Sequence, residues 1–198
     1  MQAAGYVLVG GKSSRMGRDK ALLPGQFRYV VDDVAEGVRQ AAGSVALIGD
    51  PDRFRDLHYR CIPDLRPGLG PLSGLEAALM SSGSDLNLVL ACDMPAIDIN
   101  HLRRLIERAQ ASQSHCVVTK DVTGKVHPLC AVYKSACLPV IQCRLDAKRL
   151  SLMGLLDELP TEYIHSEAVI ENVNTPEEWT RWNSEEHRGA TEAWRTPT

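Results

Sequence analysis

The chain has 198 residues, 44% apolar and 24% charged, with a net charge of −3, the profile of a globular protein long enough to bury a sizeable core. That balance excludes a dedicated nucleic-acid binder, which needs a broadly basic face, and leaves room for a local basic site. No apolar run reaches membrane-spanning length, and the opening MQAAGYVLVGGK has neither the basic start nor the cleavage site of a signal peptide, so the cytoplasm is the expected location.

From the start, GYVLVGG reads as a buried strand running into glycine. RYVVDDVAEGVRQAAG puts Val30, Val34 and Val38 at helical spacing and stops at Gly43. SVALIGD is a second strand and RCIPD holds a short third. PLSGLEAALMSSG predicts a helix with Leu72, Leu75 and Leu79 on one stripe. NLVLACDMP is a strand stopped by Pro95, and INHLRRLIERAQ is helical again. HCVVTKD and KVHPLCAVYK read as strands around a turn at Gly124; SACLPVIQCRL and SLMGLLDEL read as helices, and TEYIHS as a late strand. TPEEWTRW opens with Thr175 as N-cap, Pro176 at N1 and Glu178 at N3, a capping-box pattern.

Alternation of apolar strands with helices predicts an α/β fold with a mostly parallel central sheet covered by helices. Residues 1–183 are expected to form one domain, and the polar, aperiodic residues 184–198 a frayed tail. The six cysteines, Cys61, Cys92, Cys116, Cys130, Cys137 and Cys143, form no C-x-x-C pair, and read as free thiols rather than zinc ligands or disulfides.

Residues 10 to 20, GGKSSRMGRDK, follow the first strand directly. Gly10 and Gly11 let the backbone approach a ligand closely, and consecutive amides in such a turn form an anion-binding concavity. Lys12, Arg15, Arg18 and Lys20 set four cations against the carboxylate of Asp19. The segment is not a Walker A loop, which would need glycine where Tyr6 stands, nor the G-x-G-x-x-G dinucleotide turn. The plain alternative is a solvated basic turn; a double glycine directly after a buried strand favours a phosphate site. Asp93, at the end of an apolar strand, suits a hard cation bridging phosphate oxygens, with a capping or turn aspartate as the alternative.

LVGGKSSRMGRDKALL, Leu8 to Leu23, resembles the L-x-G-G-x-S-x-R-M-G-x-D-K-x-L-L segment of nucleotidyltransferases that activate small phosphorylated molecules. Within them, IPDLRPGLGPLSGL, ACDMP, HPLCAVY and NVNTPEE make the chain similar to the molybdenum cofactor guanylyltransferases. The resemblance runs from about Gly5 to Trp182. It implies a three-layer, Rossmann-like fold and Mg2+-dependent transfer of GMP from GTP to the phosphate of molybdopterin, with release of pyrophosphate. It implies Arg15, Lys20 and Asp93 as catalytic residues, with Asp93 on the metal. It places Leu8, Val9, Gly10, Gly11, Lys20, Asp64, Gly74 and Asp93 around GTP, and Asn172 and Asn174 on the molybdopterin side. Molybdoenzyme apo-proteins or chaperones are the transient partners it suggests.

On the residues alone, Asp64 is equally a turn residue, Gly70 and Gly74 packing glycines, and the asparagines turn formers. His127 reads as a positioned strand residue, with Pro128 limiting what its strand can pair with. Three stretches depart from the family pattern. Val9 replaces an alanine. PGQFRYVVDD, with Phe27 and Arg28, replaces the G-x-P-L turn and predicts a shortened or rebuilt connection. Ile48-Gly49-Asp50 stands where a family asparagine often touches the nucleotide. The alternatives are a cytidylyl or other transferase of the same fold, against which G-P-L-S-G-L argues, and a non-catalytic cofactor carrier.

Overall fold

The structure is a computed structural model and describes residues 2–10, 20–25, 27–173 and 175–182. Its elements follow the predicted order: β1 (Ala4–Leu8), a 3-10 turn (Lys20–Leu22), α1 (Val30–Ala42), β2 (Ala46–Ile48), β3 (Arg60–Ile62), α2 (Pro71–Ser81), β4 (Leu86–Ala91), α3 (Ile99–Ala111), β5 (Cys116–Lys120), β6 (Val126–Lys134), α4 (Leu138–Asp146), α5 (Leu152–Glu158), β7 (Thr161–His165) and α6 (Pro176–Trp182). A second 3-10 turn, Ser135–Cys137, leads into α4. Gly11, Arg15 and Asn174 lie outside the described residues, as does the tail from residue 183.

The seven strands form one sheet in the order β3-β2-β1-β4-β6-β5-β7. Only β6 runs against its neighbours; every other pairing is parallel. Side chains alternate across the strands and split the core in two. Val7, Leu47, Leu88 and Leu90 pack under α1 and α3 with Val34, Val38, Leu102 and Leu105. Tyr6, Leu8, Ile48 and Val89 pack under α2, α4 and α5 with Leu72, Leu75, Ile141 and Leu155. All six residues of β4 are buried, as expected of a strand covered on both faces. The result is a three-layer α/β/α sandwich of Rossmann-like design.

Among the described residues no helix is long and apolar enough to cross a membrane. The capping box forms as read: Thr175 N donates to Glu178 Oε2 (3.0 Å) and Glu178 N to Thr175 Oγ1 (3.2 Å). Pro128 has its expected effect. The β5 partner jumps from Ala131 to His127 across Val118 and Thr119, so Pro128 stands in the bulged part of β6, where its missing donor costs no ladder bond.

A buried polar group in the α3 layer has a pH consequence. His101, 2% exposed, places Nε2 2.8 Å from Thr119 Oγ1, whose hydroxyl donates to Cys130 Sγ (3.2 Å). The Thr119 oxygen therefore accepts, and the imidazole is the neutral Nε2–H tautomer. Burial first, and the Arg104 charge second, push its pKa down to about 4. Below pH ~6.5 the unfolded chain protonates this residue while the folded chain does not, so stability falls with pH until about 4 and is unaffected above ~6.5. The expected loss from pH 7 to pH 5 is about 2 kcal/mol, or some 4–8 °C in Tm. His101→Gln should melt lower than the parent at pH 7 yet lose less on acidification; parallel melting curves would refute the assignment.

Candidate functional site

The sheet changes winding direction between β1 and β4. The chain leaves β1 toward β2 and β3 on one side, and returns to β4 on the other. In open α/β sheets the crevice beyond the carboxyl ends at such a point is where ligands bind. Two bonds carry the backbone past the strands there: Val9 N donates to Ile48 O (3.0 Å) and Cys92 N to Leu8 O (3.1 Å). With Leu8 paired to Ala91, Val9-Gly10 and Cys92-Asp93 leave the sheet side by side.

The Leu8 and Val9 side chains are turned into the two cores, and the Leu8 carbonyl and the Val9 N–H are engaged by the two bonds just named. Gly10 differs. A Cβ built on it meets nothing within 4 Å among the described residues, so none of them requires glycine there for packing. The segment resumes at Lys20, which opens the 3-10 turn, with Ala21 buried in the core.

Asp93 is joined from the opposite direction by a late segment. Val173 N donates to the Asp93 carbonyl (2.8 Å), which brings Asn172 beside it. Asn172 Oδ1 is buried and has no hydrogen-bond partner among the described residues. α6 then folds back over the start of α1: Trp182 and Val173 pack on Val30, with Leu23 and Trp179 at the edge. Trp179 Nε1 donates to Pro24 O (3.2 Å). The stretch after Leu23, which departs from the family pattern in sequence, is tied down by its own contacts. Pro24 bridges Tyr29, Gly25 N donates to Arg28 O (3.2 Å), and Phe27 N donates to the buried carboxylate of Asp33 (2.8 Å). Phe27 itself is 53% exposed.

On the other flank, Asp64 follows β3. Its Oδ1 accepts from Ser73 Oγ and from Arg66 N (3.0 Å), which gives the turn reading of this residue a definite form. Gly70 caps α2 at φ +73°, a backbone that side-chain-bearing residues seldom adopt. Gly74 is a packing glycine: a Cβ there would stand 3.2 Å from Leu8 Cδ2, so its absence lets α2 lie close on β1. That packing is compatible with a ligand beyond the helix start.

One cation escaped the sequence reading. Arg53, between β2 and β3, reaches 44 residues back to donate from Nη1 to Val9 O (3.3 Å), its guanidinium 5.1 Å from the Phe54 ring centre. It stands next to Asp50, which holds its own turn by accepting from Asp52 N (3.0 Å). No local pattern announces a contact of that sequence separation. At the start of β6, His127 is 2% exposed, with Nε2 3.0 Å from Asp121 Oδ2. The Thr123 hydroxyl, then His127 and two backbone amides, hold the Asp121 carboxyl far below the usual carboxylate range. This is the positioned strand residue expected, tying the β5–β6 turn.

Comparison with known proteins fits this geometry. The family model described as a MobA-like NTP transferase domain matches residues 5–161. A probable molybdenum cofactor guanylyltransferase of Pelotomaculum thermopropionicum is 34% identical, covering 89% of each chain. One from Flavobacterium johnsoniae is 31% identical over 87% of this chain and 92% of its own. Among solved structures, molybdopterin-guanine dinucleotide biosynthesis protein A of Archaeoglobus fulgidus superposes with a TM-score of 0.77 at 22% identity, covering 90% of this chain and 95% of that one; at that identity the likeness concerns the fold. A match running from β1 to the start of β7, with two relatives above 30% identity, makes this chain a nucleotidyltransferase of the MobA-like family.

Proposed function

We propose that the protein transfers GMP from GTP to the phosphate of molybdopterin, forming the guanine dinucleotide and pyrophosphate. The observation that carries this reading is the emergence of Gly10 and Asp93 side by side at the switch point, in a chain whose relatives are named molybdenum cofactor guanylyltransferases. The triphosphate lies along the amides of Gly10 and Gly11, beyond the Val9 N–H that is committed to Ile48 O, with Arg15 and Lys20 neutralising the charge that moves onto the departing pyrophosphate. Fixed cations that meet charge as it develops lower the barrier more than they stabilise bound substrate. No covalent intermediate is needed; positioning and electrostatics carry the transfer.

The residues present fit a magnesium ion. The carboxylate of Asp93 and the buried carbonyl oxygen of Asn172 are hard oxygen donors, and no cluster of three His, Cys, Asp or Glu ligands occurs among the described residues. One carboxylate plus substrate phosphates is the usual way magnesium is held. When bound, the ion supplies Lewis-acid stabilisation of the phosphate oxygens. Asp64 lies at the base and ribose end, Asn172 and Asn174 toward the molybdopterin phosphate.

Pyrophosphate release measured with each of the four ribonucleoside triphosphates, with and without molybdopterin, tests the proposal. GTP with molybdopterin should exceed every other combination by at least ~100-fold, as expected where polar groups of a site recognise the base. Preference for CTP would replace it with cytidylyl transfer, and nucleotide binding without turnover with the carrier reading.

A further inference from the structure

Arg66, partly exposed, and the buried Glu76 form a link beside the turn that holds Asp64. Glu76, on the second turn of α2, is 2% exposed. Arg66 clasps it with Nε 3.0 Å from Oε2 and Nη2 3.1 Å from Oε1, and its Nη1 also reaches Asp146 on α4. A buried carboxylate held this way costs desolvation that apolar residues of similar volume would avoid, so the pair is better explained by geometry than by stability. The main chain of Arg66 supplies that geometry. Its N–H is shared by Asp64 Oδ1 (3.0 Å) and Ser73 Oγ (3.1 Å), while the Ser73 hydroxyl donates to the same Asp64 oxygen.

We infer that Arg66 and Glu76 are positioning residues for nucleotide selection, acting through Asp64. Side-chain anchoring of Arg66 fixes its amide; the amide and Ser73 fix Oδ1; Oδ2 is thereby held at one angle to accept from the nucleotide. The inference rests on the reading of Asp64 as the group at the base and ribose end. An aspartate presents two oxygens that freely exchange by rotation about its Cβ–Cγ bond; occupying one with two donors turns it into a directional acceptor. Either the guanine N1–H and N2–H2 pair or a ribose hydroxyl satisfies that acceptor chemistry.

The test compares the parent, Asp64→Ala and the double variant Arg66→Leu/Glu76→Leu, which replaces the ion pair by apolar groups so that folding is retained. KM and kcat are measured with GTP, with ITP, which lacks the 2-amino group, and with 2′-deoxy-GTP. Melting temperature serves as the folding check, with Glu76→Gln, which keeps an acceptor for Arg66, as the conservative variant. The expected result is a rise of about tenfold in KM for GTP that outweighs any fall in kcat, and loss of discrimination against one analogue, matching Asp64→Ala. Glu76→Gln should keep most of the discrimination that the double variant loses. Loss against ITP assigns the carboxylate to guanine, loss against the deoxynucleotide to ribose. If Asp64→Ala loses selectivity and the double variant keeps it, the link is refuted while guanylyl transfer stands. If Asp64→Ala itself discriminates like the parent, the inference fails with the reading of Asp64, and the four-nucleotide experiment still decides the reaction.

Discussion

Asp93→Ala is expected to lower the rate of pyrophosphate release by about 1,000-fold, the scale of losing a metal-mediated stabilisation of developing charge. The side chain is the carboxylate at the switch point, whereas its structural tie to the late segment runs through its backbone: Val173 N to Asp93 O, with Met94 N to Ala91 O (3.3 Å) closing the turn. Removing the carboxylate leaves those backbone bonds in place, so the variant should still unfold in one cooperative transition. Residual turnover in the variant should also be nearly independent of magnesium concentration. Asp98, five residues on, provides the contrast. Its Oδ1 caps α3 by accepting from Asn100 N (2.9 Å), so Asp98→Ala should cost about 1 kcal/mol of stability and leave kcat unchanged. Unchanged turnover in Asp93→Ala would remove the metal assignment and with it the mechanism.

Gly5→Ala is expected to be the most destabilising single-methyl change in the sheet. Gly5 sits in β1 opposite Leu88 of β4, below the last turn of α1. A Cβ there would stand 2.4 Å from Ser44 O and 2.5 Å from Val38 Cγ1. A side chain can rotate away from such a contact; a backbone carbonyl cannot, so the C-terminal end of α1 must lift off the sheet. Overpacking of this kind costs about 3 kcal/mol, near 10 °C for a chain of this length. Thermal melts check it directly, and a shift under about 2 °C would show that α1 is seated less firmly than its burial indicates. The KM for GTP below the melt should hardly change, since Gly5 lies at the opposite end of β1 from Gly10. Its role also explains why a P-loop reading of this stretch fails on spacing: the glycine one residue from the Walker position answers to helix packing, not to phosphate.

The layer architecture was legible because its signals are local. Leu72, Leu75 and Leu79 on one stripe, Val30, Val34 and Val38 on another, and the unbroken apolar run of β4 each declare an element and its buried face within a dozen residues. The Thr175 to Glu178 box is of the same kind, three residues across. Order and contact between distant segments were not legible. HCVVTKD and KVHPLCAVYK read as a hairpin, but nothing in either states that β6 lies between β4 and β5, because strand order is decided by which hydrophobic faces the rest of the sheet leaves uncovered. Arg53 reaching Val9, and Arg66 clasping Glu76, join residues by long side chains that carry no periodicity. Gly74 showed the converse: a residue marked by resemblance as lying near nucleotide has a sufficient packing reason of its own. The stretch after Leu23 signalled its departure from the family but not its outcome, which depends on Asp33 and on Trp179, more than 150 residues away.

The bond from Val173 to the Asp93 carbonyl, and the docking of α6 on the start of α1, set a condition on when the proposed site is complete. Strands β1 to β7 and their helices are synthesised before residues 172–182 leave the ribosome, and the sheet can assemble without them. Asn172 cannot reach its place until they arrive. A chain truncated after residue 170 would therefore keep all seven strands but lack Asn172 and the helix that covers the start of α1.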